Sequence, residues 1–437
     1  MITISDRGYW ITAVIVVIGV IGQWLDTSLP GLMSRLWILP AACLIAAVFA
    51  ERAALSAMRI DVAREAPTKV YLGERFDVEM CLSNHAQRAV HIQYQPSYPD
   101  QLSADCGISR CRIARSGSVS TRHELLPMQL GETSLGDIHI KVLGFLGLVW
   151  WYRRADGTTT VRVVPRSGSA NLRSIGEQLV GARFSRRPAQ GGMEFLLHRG
   201  YQHGDPLQIV DWKASARSED LVVRVMTREQ RLELVLLLDC GRTSQLRAGK
   251  LSRLHHNVNI VARLAELAVQ HGDRVACVTY ANRPLATAPL SSGINSLRKI
   301  RAILQDARSV ATESNLLAAA LQARKMMTHR ALVVVLTDLS TGDSAAQFGQ
   351  AVRLLSHKHR VIVASIEDVE IDALRWREAS HWLDPYRSFA AAEFSRERKL
   401  TVLKLKQRGV SVITAAPEEL DQKVMAYYRE LRQRIAV

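Results

Sequence analysis

The chain has 437 residues, of which 48% are hydrophobic and 22% are charged, so it is long enough for two or three domains with a full-sized core. Its formal net charge is +16, but the basic residues form no block, no zinc-finger spacing and no aromatic RNA-binding signature. This pattern argues against a nucleic-acid-binding protein. The six cysteines include no CxxC pair, which is typical of reduced thiols in a cytosolic domain.

Two apolar stretches near the start of the chain are each long enough to cross a bilayer. Residues 8–25 contain no charged side chain, and residues 32–50 contain a single arginine. A cleaved signal peptide would need a small-residue cleavage site after the first stretch, and it would not explain the second. The sequence therefore predicts a two-helix membrane anchor over residues 1–56, joined by a tight turn at 26–31. Three tryptophans lie near the ends of these stretches, as interfacial aromatic residues do: Trp10, Trp24 and Trp37.

The orientation of the anchor follows from the basic residues around it. Four of them follow the second stretch, whereas the connecting turn has only Arg35 at its edge. The positive-inside rule then predicts a two-pass protein of the inner membrane, with both the N-terminus and the soluble domains in the cytoplasm. The four residues are Arg52, Arg59, Arg64 and Lys69.

Residues 57–166 are predicted to form a β-sandwich-like domain. They contain short runs rich in β-branched and aromatic residues, and Gly, Asn, Asp and Pro punctuate these runs at regular intervals. Residues 167–198 are rich in Gly, Ser and Arg, which predicts a linker or mobile loop. Three arginines in this segment could bind an acidic partner, although a solvated loop is the simpler and favoured explanation: Arg183, Arg186 and Arg187.

The remainder, residues 199–437, contains alternating strand and helix patterns after residue 231. The run at 232–239 is apolar apart from Glu233 and the final Asp239, as in a strand that is buried on both faces, and the run at 331–338 is similar. A helical stretch with apolar residues at three- and four-residue spacing follows the first of these runs. This alternation predicts a doubly wound parallel sheet with helices on both faces.

Two carboxylates end strands of this predicted sheet at its carboxyl edge, where such sheets bind ligands. Asp239 closes the first strand, and Asp338 closes the strand at 331–338. Between them, Thr312 or Ser314 is placed to cap a helix. Each aspartate alone is explained by a role in a cap or turn. Together with nearby hydroxyls, however, the two carboxylates form a hard-oxygen set that suits Mg²⁺.

The segment "RGYQHGDPLQIVDWKASARSEDLVVR", followed by "VLLLDCGR", resembles the bacterial domain-of-unknown-function family 58. The resemblance extends to the layout of nearly the whole chain. It implies a membrane hairpin, a β domain and a von Willebrand factor A-like domain. It also implies a MoxR-type AAA+ ATPase as partner, in systems that assemble or activate other proteins. The matching residues are Arg199, Tyr201, Gly204, Asp205, Asp211, Trp212, Ser215, Ala216 and Arg217.

The resemblance also implies a metal site of the form Asp-x-Ser-x-Ser, with a hydroxyl on a later loop and an aspartate on a later strand. In this chain Asp239 is followed by Gly241 and Thr243, so one hydroxyl is missing. Ser314 is the match for the loop hydroxyl, and Asp338 is the match for the later aspartate. The resemblance therefore implies a Mg²⁺ site that is short of one ligand: either water replaces the missing hydroxyl and the site binds the ion, or the site is vestigial.

The matching segment, called the signature segment below (residues 199–224), has two explanations. In the structural explanation, Asp211 and Arg217 lie on one short helix and fix the entry of the chain, while Trp212 is anchored in the core. In the functional explanation, Asp205, Asp211 and Arg217 form part of a partner-binding surface. The sequence leaves both open, because it does not show whether these charges are paired.

The functional hypothesis that follows is a membrane-anchored adaptor whose metal-site face binds an acidic side chain of a partner protein, so that the partner carboxylate completes the coordination of Mg²⁺. The alternative is a thiol hydrolase centred on Cys240, with His255 or His256 as its base. The sequence contains no P-loop, GxSxG or HExxH motif that would favour another enzyme class.

Overall fold

The computed structural model describes residues 2–25, 35, 37–56, 60–104, 107–166, 194–218, 220–227, 231–339 and 344–435. These form two compact units, Met1–Val164 and Pro165–Val437, called the first and second unit below. Three predicted features lie outside the described residues: the hairpin turn at 26–31, Cys106, and residues 167–193 of the linker with their three arginines.

The first unit begins with two long apolar helices, α1 (Asp6–Leu25) and α2 (Ile38–Ser56). Both have candidate membrane spans, at Asp6–Trp24 and Ile38–Leu55, and only 11% of each span is buried inside the protein. An apolar helix that leaves most of its surface uncovered is suited to contact with lipid. The predicted pair of candidate membrane-spanning helices near the N-terminus is confirmed.

The rest of the first unit consists of strands, arranged in sheets of five (β1-β11-β10-β5-β7), four (β2-β4-β8-β6) and three (β3-β12-β9) strands. The five- and four-stranded sheets share one core, in which Met80 and Leu82 of β4 pack with Ile92 of β5 and Ile140 of β10. A many-stranded β region therefore follows the helices, as predicted. The strands are β1 (Ile2–Ile4), β2 (Ile60–Glu65), β3 (Lys69–Tyr71), β4 (Phe76–Asn84), β5 (Val90–Pro96), β6 (Leu102–Ala104), β7 (Ser109–Ile113), β8 (Ser118–Pro127), β9 (Gly131–Leu135), β10 (Ile138–Leu143), β11 (Val149–Ala155) and β12 (Thr159–Val164).

Both outer ends of the helix pair contact the same part of the β region. Strand β1, which precedes α1, pairs with β11 in the register Thr3↔Trp150. Near the end of α2, the carboxylate of Glu51 is fully buried and accepts hydrogen bonds from the amides of Leu146 (2.8 Å) and Leu148 (3.4 Å). The chain therefore enters α1 and leaves α2 beside the same loop and strand, which is the geometry of a hairpin with both ends on one side.

The second unit alternates strands and helices after an initial two-stranded ribbon. Its elements are β13 (Glu194–Gly200), α3 (Trp212–Ser215), β14 (Val222–Thr227), β15 (Glu233–Asp239), β16 (Arg247–Ala248), β17 (Leu251–Ser252), α4 (Arg253–Gln270), β18 (Arg274–Tyr280), β19 (Pro284–Ser291), α5 (Gly293–Gln305), α6 (Leu316–Met326), β20 (Ala331–Leu336), α7 (Ser344–Ser356), β21 (Arg360–Ile366), α8 (Val369–Trp376), α9 (Asp384–Gln407), β22 (Ser411–Ala415) and α10 (Pro417–Ile435). The predicted linker extended to residue 198, but residues 194–198 belong to strand β13, which pairs with β14.

Six of these strands form a single sheet in the order β19-β18-β15-β20-β21-β22. Strand β15 is buried along its whole length: Val235 and Leu237 pack with helices α6 and α7 on one face, and the alternate residues are buried as well. This explains the uninterrupted apolar run Leu234–Leu238 within β15. Five strands run parallel, as predicted, but the edge strand β19 runs antiparallel to β18 and was missed. Its two prolines obscure the strand pattern, and proline is tolerated at a sheet edge.

Candidate functional site

The site lies where the strand order of the six-stranded sheet changes direction. When its six strands are numbered in chain order, their order across the sheet is 3-2-1-4-5-6. Strand 1 is β15 and strand 4 is β20, so these two strands are neighbours, and the chain continues from them toward opposite edges of the sheet. Doubly wound sheets bind ligands at this switch point, outside the carboxyl ends of the strands. Asp239 ends β15, and Thr337 and Asp338 follow β20. A pocket of about 300 Å³ opens above them.

Asp239 is 2% exposed and is held by three hydrogen-bond donors. Its Oδ1 accepts from the hydroxyl of Ser314 (2.5 Å) and the amide of Gly241 (2.8 Å), and its Oδ2 accepts from the hydroxyl of Thr337 (2.5 Å). Burial raises the pKa of this carboxyl, while the three hydrogen bonds act in the opposite direction. Within the described residues Asp239 forms no salt bridge.

Ser314 reaches Asp239 because it does not cap the following helix. The predicted cap was Thr312 or Ser314, but the side chain of Asn315 accepts the hydrogen bond from the Ala318 amide (3.1 Å) and caps α6. The sequence correctly placed Ser314 beside Asp239. It missed Thr337, although the position of Thr337 at the end of β20 was a usable signal.

Asp338 lies in a buried network of alternating charges. Its carboxylate pairs with the guanidinium of Arg253, which is 5% exposed and also pairs with Asp368. Asp368 in turn contacts Arg398 (3.3 Å), which donates to the hydroxyl of Ser365 (3.0 Å). Burial raises the pKa of Asp338, and the two arginines oppose this effect.

The sequence did not predict the other three members of this network, which are Arg253, Asp368 and Arg398. One signal was available for Arg253: it lies four and eight residues before Asn257 and Val261, so it shares their face of α4. Both of those residues are buried. An arginine on a buried helix face calls for a carboxylate partner.

A second, much smaller cavity of about 10 Å³ lies between Asp239, Thr243, Arg253, Asn257 and Asp338. Two buried oxygens at this cavity, Asp338 Oδ1 and Asn257 Oδ1, have no hydrogen-bond partner among the described residues. The structure thus brings three of the predicted metal ligands, Asp239, Thr243 and Asp338, around one cavity. The fourth, Ser314, contacts Asp239 and lines the larger pocket.

Gly241, where the resemblance expects a hydroxyl, has no room for a side chain. A Cβ atom at this position would lie 2.0 Å from the Ser314 hydroxyl and 3.2 Å from Asp239 Oδ1. Contacts below about 3 Å do not occur without movement. The hydroxyl of Ser314 therefore occupies the space that a serine at position 241 would need, and the missing hydroxyl is a packing requirement of this site.

These contacts do not fit a divalent metal ion. Arg253 already neutralises Asp338, so only the negative charge of Asp239 is left to balance the two positive charges of a divalent ion. The oxygen that a serine would supply at position 241 is excluded by Ser314. Within the ranges that the structure covers, no group of three or more His, Cys, Asp or Glu side chains is placed to hold a metal ion.

The thiol-hydrolase alternative lacks its catalytic pair. Cys240 is fully buried, and burial raises its pKa to about 12, so the nucleophilic thiolate is disfavoured. His255 bonds Ser252 (2.7 Å), and burial lowers its pKa to about 4. His256 bonds the carbonyl of Ala248 (2.9 Å). Neither imidazole is directed at the thiol.

The signature segment forms a compact turn beside the β13–β14 ribbon. Arg199 makes a two-pronged contact with Asp205, with both N–O distances 2.6 Å, and Asp205 also accepts from the Gln202 amide (2.9 Å). Gly204 adopts φ +105°, which a residue with a side chain rarely reaches. One of the matching residues, Gly204, thus sets the turn geometry, and two others, Arg199 and Asp205, form the ion pair that closes it.

Asp211 joins the short helix α3 to the ribbon. Its Oδ1 caps the helix by accepting from the amides of Lys213 (3.2 Å) and Ala214 (3.1 Å). Its Oδ2 contacts His198 (3.1 Å) and Arg224 (3.0 Å). The hydrogen bond with His198, helped by the Ala214 amide and by Arg224, lowers the pKa of Asp211 to about 2.

Two details of the structural explanation were wrong. Asp211 and Arg217 do not share a short helix, because Asp211 is the N-cap of α3 and α3 ends at Ser215; the basic partners of Asp211 are His198 and Arg224. Trp212 is 63% exposed instead of anchored in a core, because the ribbon with its single short helix is too small to enclose it. Ser215 bridges to Val222 through its hydroxyl (2.8 Å), and the Tyr201 amide bonds the Leu221 carbonyl (2.8 Å).

Comparison with known families gives one match. Residues 198–374 match the family described as "Protein of unknown function DUF58". The matched range runs from the signature segment through the central strands of the sheet. No curated protein matches the chain.

Solved structures give only distant similarity. The alpha-2-macroglobulin of Salmonella is 11% identical over 24% of this chain, with a TM-score of 0.19, and the matched part spans 7% of the macroglobulin. The CARDB domain of the PF1109 protein from Pyrococcus furiosus is 12% identical over 24% of this chain and 93% of the domain, with a TM-score of 0.16. At such scores neither similarity carries an argument about function.

The packing at Gly241 predicts the effect of restoring the expected serine. Gly241→Ser should destabilise the second unit by about 1–3 kcal/mol, because the new side chain overlaps the Ser314 hydroxyl. The double variant with Ser314→Ala should recover part of this loss, which thermal unfolding would measure. Gly200→Ala is the matched control, since nothing lies within 4 Å of its new Cβ. Equal stability of Gly241→Ser and wild type would contradict this packing.

The ion pair of the signature segment predicts a difference between two arginines. Arg199→Lys should speed hydrogen exchange severalfold at the amides of residues 202–205, because an ammonium cannot make the two-pronged contact with Asp205. Arg217→Lys should leave the same amides unchanged. Hydrogen-exchange mass spectrometry measures both, and equal effects of the two changes would show that the pair does not hold the turn.

Proposed function

We propose that this protein is a membrane-anchored interaction protein whose second unit binds a partner protein at the pocket on the carboxyl edge of the six-stranded sheet. The observation that carries the proposal is the pocket itself. It lies at the switch point of the sheet, has a volume of about 300 Å³, and is bordered by the buried carboxylates of Asp239 and Asp338. Polar groups held this firmly at such an edge favour recognition, and burial raises the pKa of the neighbouring Cys240 thiol to about 12, which disfavours the nucleophilic thiolate.

We also propose a more specific fold for the second unit. A von Willebrand factor A-like domain, implied by the resemblance, is supported by the six-stranded sheet with its buried first strand ending in Asp239. Ser314 and Asp338 also lie at the edge where that assignment expects them. The interaction role does not require the metal of such domains, since Arg253 already balances the negative charge of Asp338.

The partner that we propose is a MoxR-type AAA+ ATPase on the cytoplasmic side of the inner membrane. The resemblance implies this partner class. The hairpin geometry supports placing both ends of the helix pair on one side, and the basic residues after α2 favour the cytoplasm. The pocket then faces the compartment in which such an ATPase occurs.

The experiment is crosslinking in living cells, followed by purification of the full-length protein and identification of its partners. Capture of an AAA+ ATPase is expected for wild type, and it should fall about tenfold for Thr401→Trp, because the indole would fill the pocket that Thr401 lines. Lys399→Trp is the matched control on the same helix, since Lys399 does not line the pocket. Absence of the ATPase from wild-type samples, or equal capture by both variants, would contradict the proposal.

A further inference from the structure

The pocket above Asp239 has the charge and the hydrogen-bonding groups of a receptor for a positively charged side chain. We propose that it binds a lysine or arginine side chain of the partner, whose nitrogen donates hydrogen bonds to Asp239 and Asp338 without a metal ion. This inference rests on the proposed function, because it specifies the chemistry that the partner presents to the pocket.

The first support is the charge of the buried cluster. It contains three carboxylates and two guanidinium groups, each at most 11% exposed, so one negative charge is left without a counterion. Salt bridges join the other four groups, and Asp239 is the one left with neutral donors only. Burying a charge without a counterion is unfavourable, and one added cation would remove this imbalance. The five groups are Asp239, Asp338, Asp368, Arg253 and Arg398.

The second support is the set of unpartnered atoms beside Asp239. Asp338 Oδ1 and Asn257 Oδ1 lack a hydrogen-bond partner among the described residues, and both belong to side chains that line the cavity of about 10 Å³. Both atoms are acceptors, so the group that satisfies them must donate. An ammonium group carries three donors and no acceptor, and a cavity of this size holds a group as large as one water molecule.

The third support is the shape of the approach. Asp239, Thr243, Thr337 and Asp338 line both the small cavity and the larger pocket, which gives a route from solvent. Apolar side chains form part of the wall of the larger pocket and can pack against the methylene stem of a lysine or arginine. These wall residues are Leu316, Leu339, Phe348 and Leu405.

Two basic residues restrict which segment can enter. Lys404 and Arg408 lie on the outer side of the pocket, are exposed, and form no salt bridge within the described ranges. They would repel a second basic residue and attract a carboxylate. The fitting segment therefore has a single basic side chain with an acidic residue beside it.

The rival arrangement is a magnesium ion coordinated by a partner carboxylate, which would also balance the charge. It places a divalent ion next to the Arg253 guanidinium and still lacks a ligand at position 241. The two arrangements differ in the probe that binds: an organic ammonium in one, and Mg²⁺ in the other.

The test uses the full-length protein in lipid nanodiscs, with thermal unfolding of the second unit as the readout. n-Butylammonium chloride at tenfold its Kd should raise the unfolding temperature by about 2–4 °C, and tetramethylammonium chloride, which has the same charge but no N–H donor, should not. Asp239→Asn should abolish the butylammonium shift because it removes the uncompensated charge. The matched control Asp306→Asn, at the exposed end of α5, should retain it.

Thr401→Trp provides a second variant that blocks the pocket without touching the charged cluster, and it too should lose the shift. Equal shifts with both ammonium salts, a shift that persists in Asp239→Asn, or a shift with MgCl₂ alone would each overturn the inference. This readout needs no partner protein. Its failure is therefore distinct from failure to capture an ATPase, which would contradict the proposed function instead.

Discussion

The site depends on one buried guanidinium group. Arg253 lies at the first turn of α4 and pairs with Asp338 after β20 and with Asp368 just before α8. Asp368 occupies the N-cap position of α8, yet its side chain makes no cap hydrogen bond and contacts Arg253 and Arg398 instead. A single cation thus fixes the loops after two neighbouring strands. Removing this guanidinium would leave three buried carboxylates with Arg398 as their one counterion, which is strongly destabilising.

This arrangement gives the sheet edge a character unlike that of a metal site. A metal ion draws its ligands together and keeps positions open for water or a partner. Here a side chain of the protein neutralises Asp338, the hydroxyl of Ser314 fills the space beside Gly241, and only Asp239 remains without a counterion. The edge is therefore pre-organised before any partner arrives, and pre-organisation lowers the cost of binding.

The sequence was most informative where a pattern is local. Strand burial placed Asp239 and Asp338 at the ends of adjacent strands, and two uncharged or nearly uncharged stretches located the helix pair. It failed where a contact joins distant parts of the chain: Arg253 meets Asp368 across 115 positions, and nothing local to either residue specifies the other. The predicted burial of Trp212 was wrong for a different reason, since an apolar residue is buried only if enough of the chain packs around it.

The most direct test of the account is a double-mutant cycle on Arg253 and Asp338. Native-state hydrogen exchange at the amides of Leu238 and Leu336 would report the local opening free energy in wild type, Arg253→Met, Asp338→Leu and the double variant. If Arg253 is the resident cation, each single change should cost about 3–5 kcal/mol, and the double change should cost clearly less than their sum. Additive effects, together with a rise in wild-type protection on adding MgCl₂, would show that a metal ion holds this edge instead.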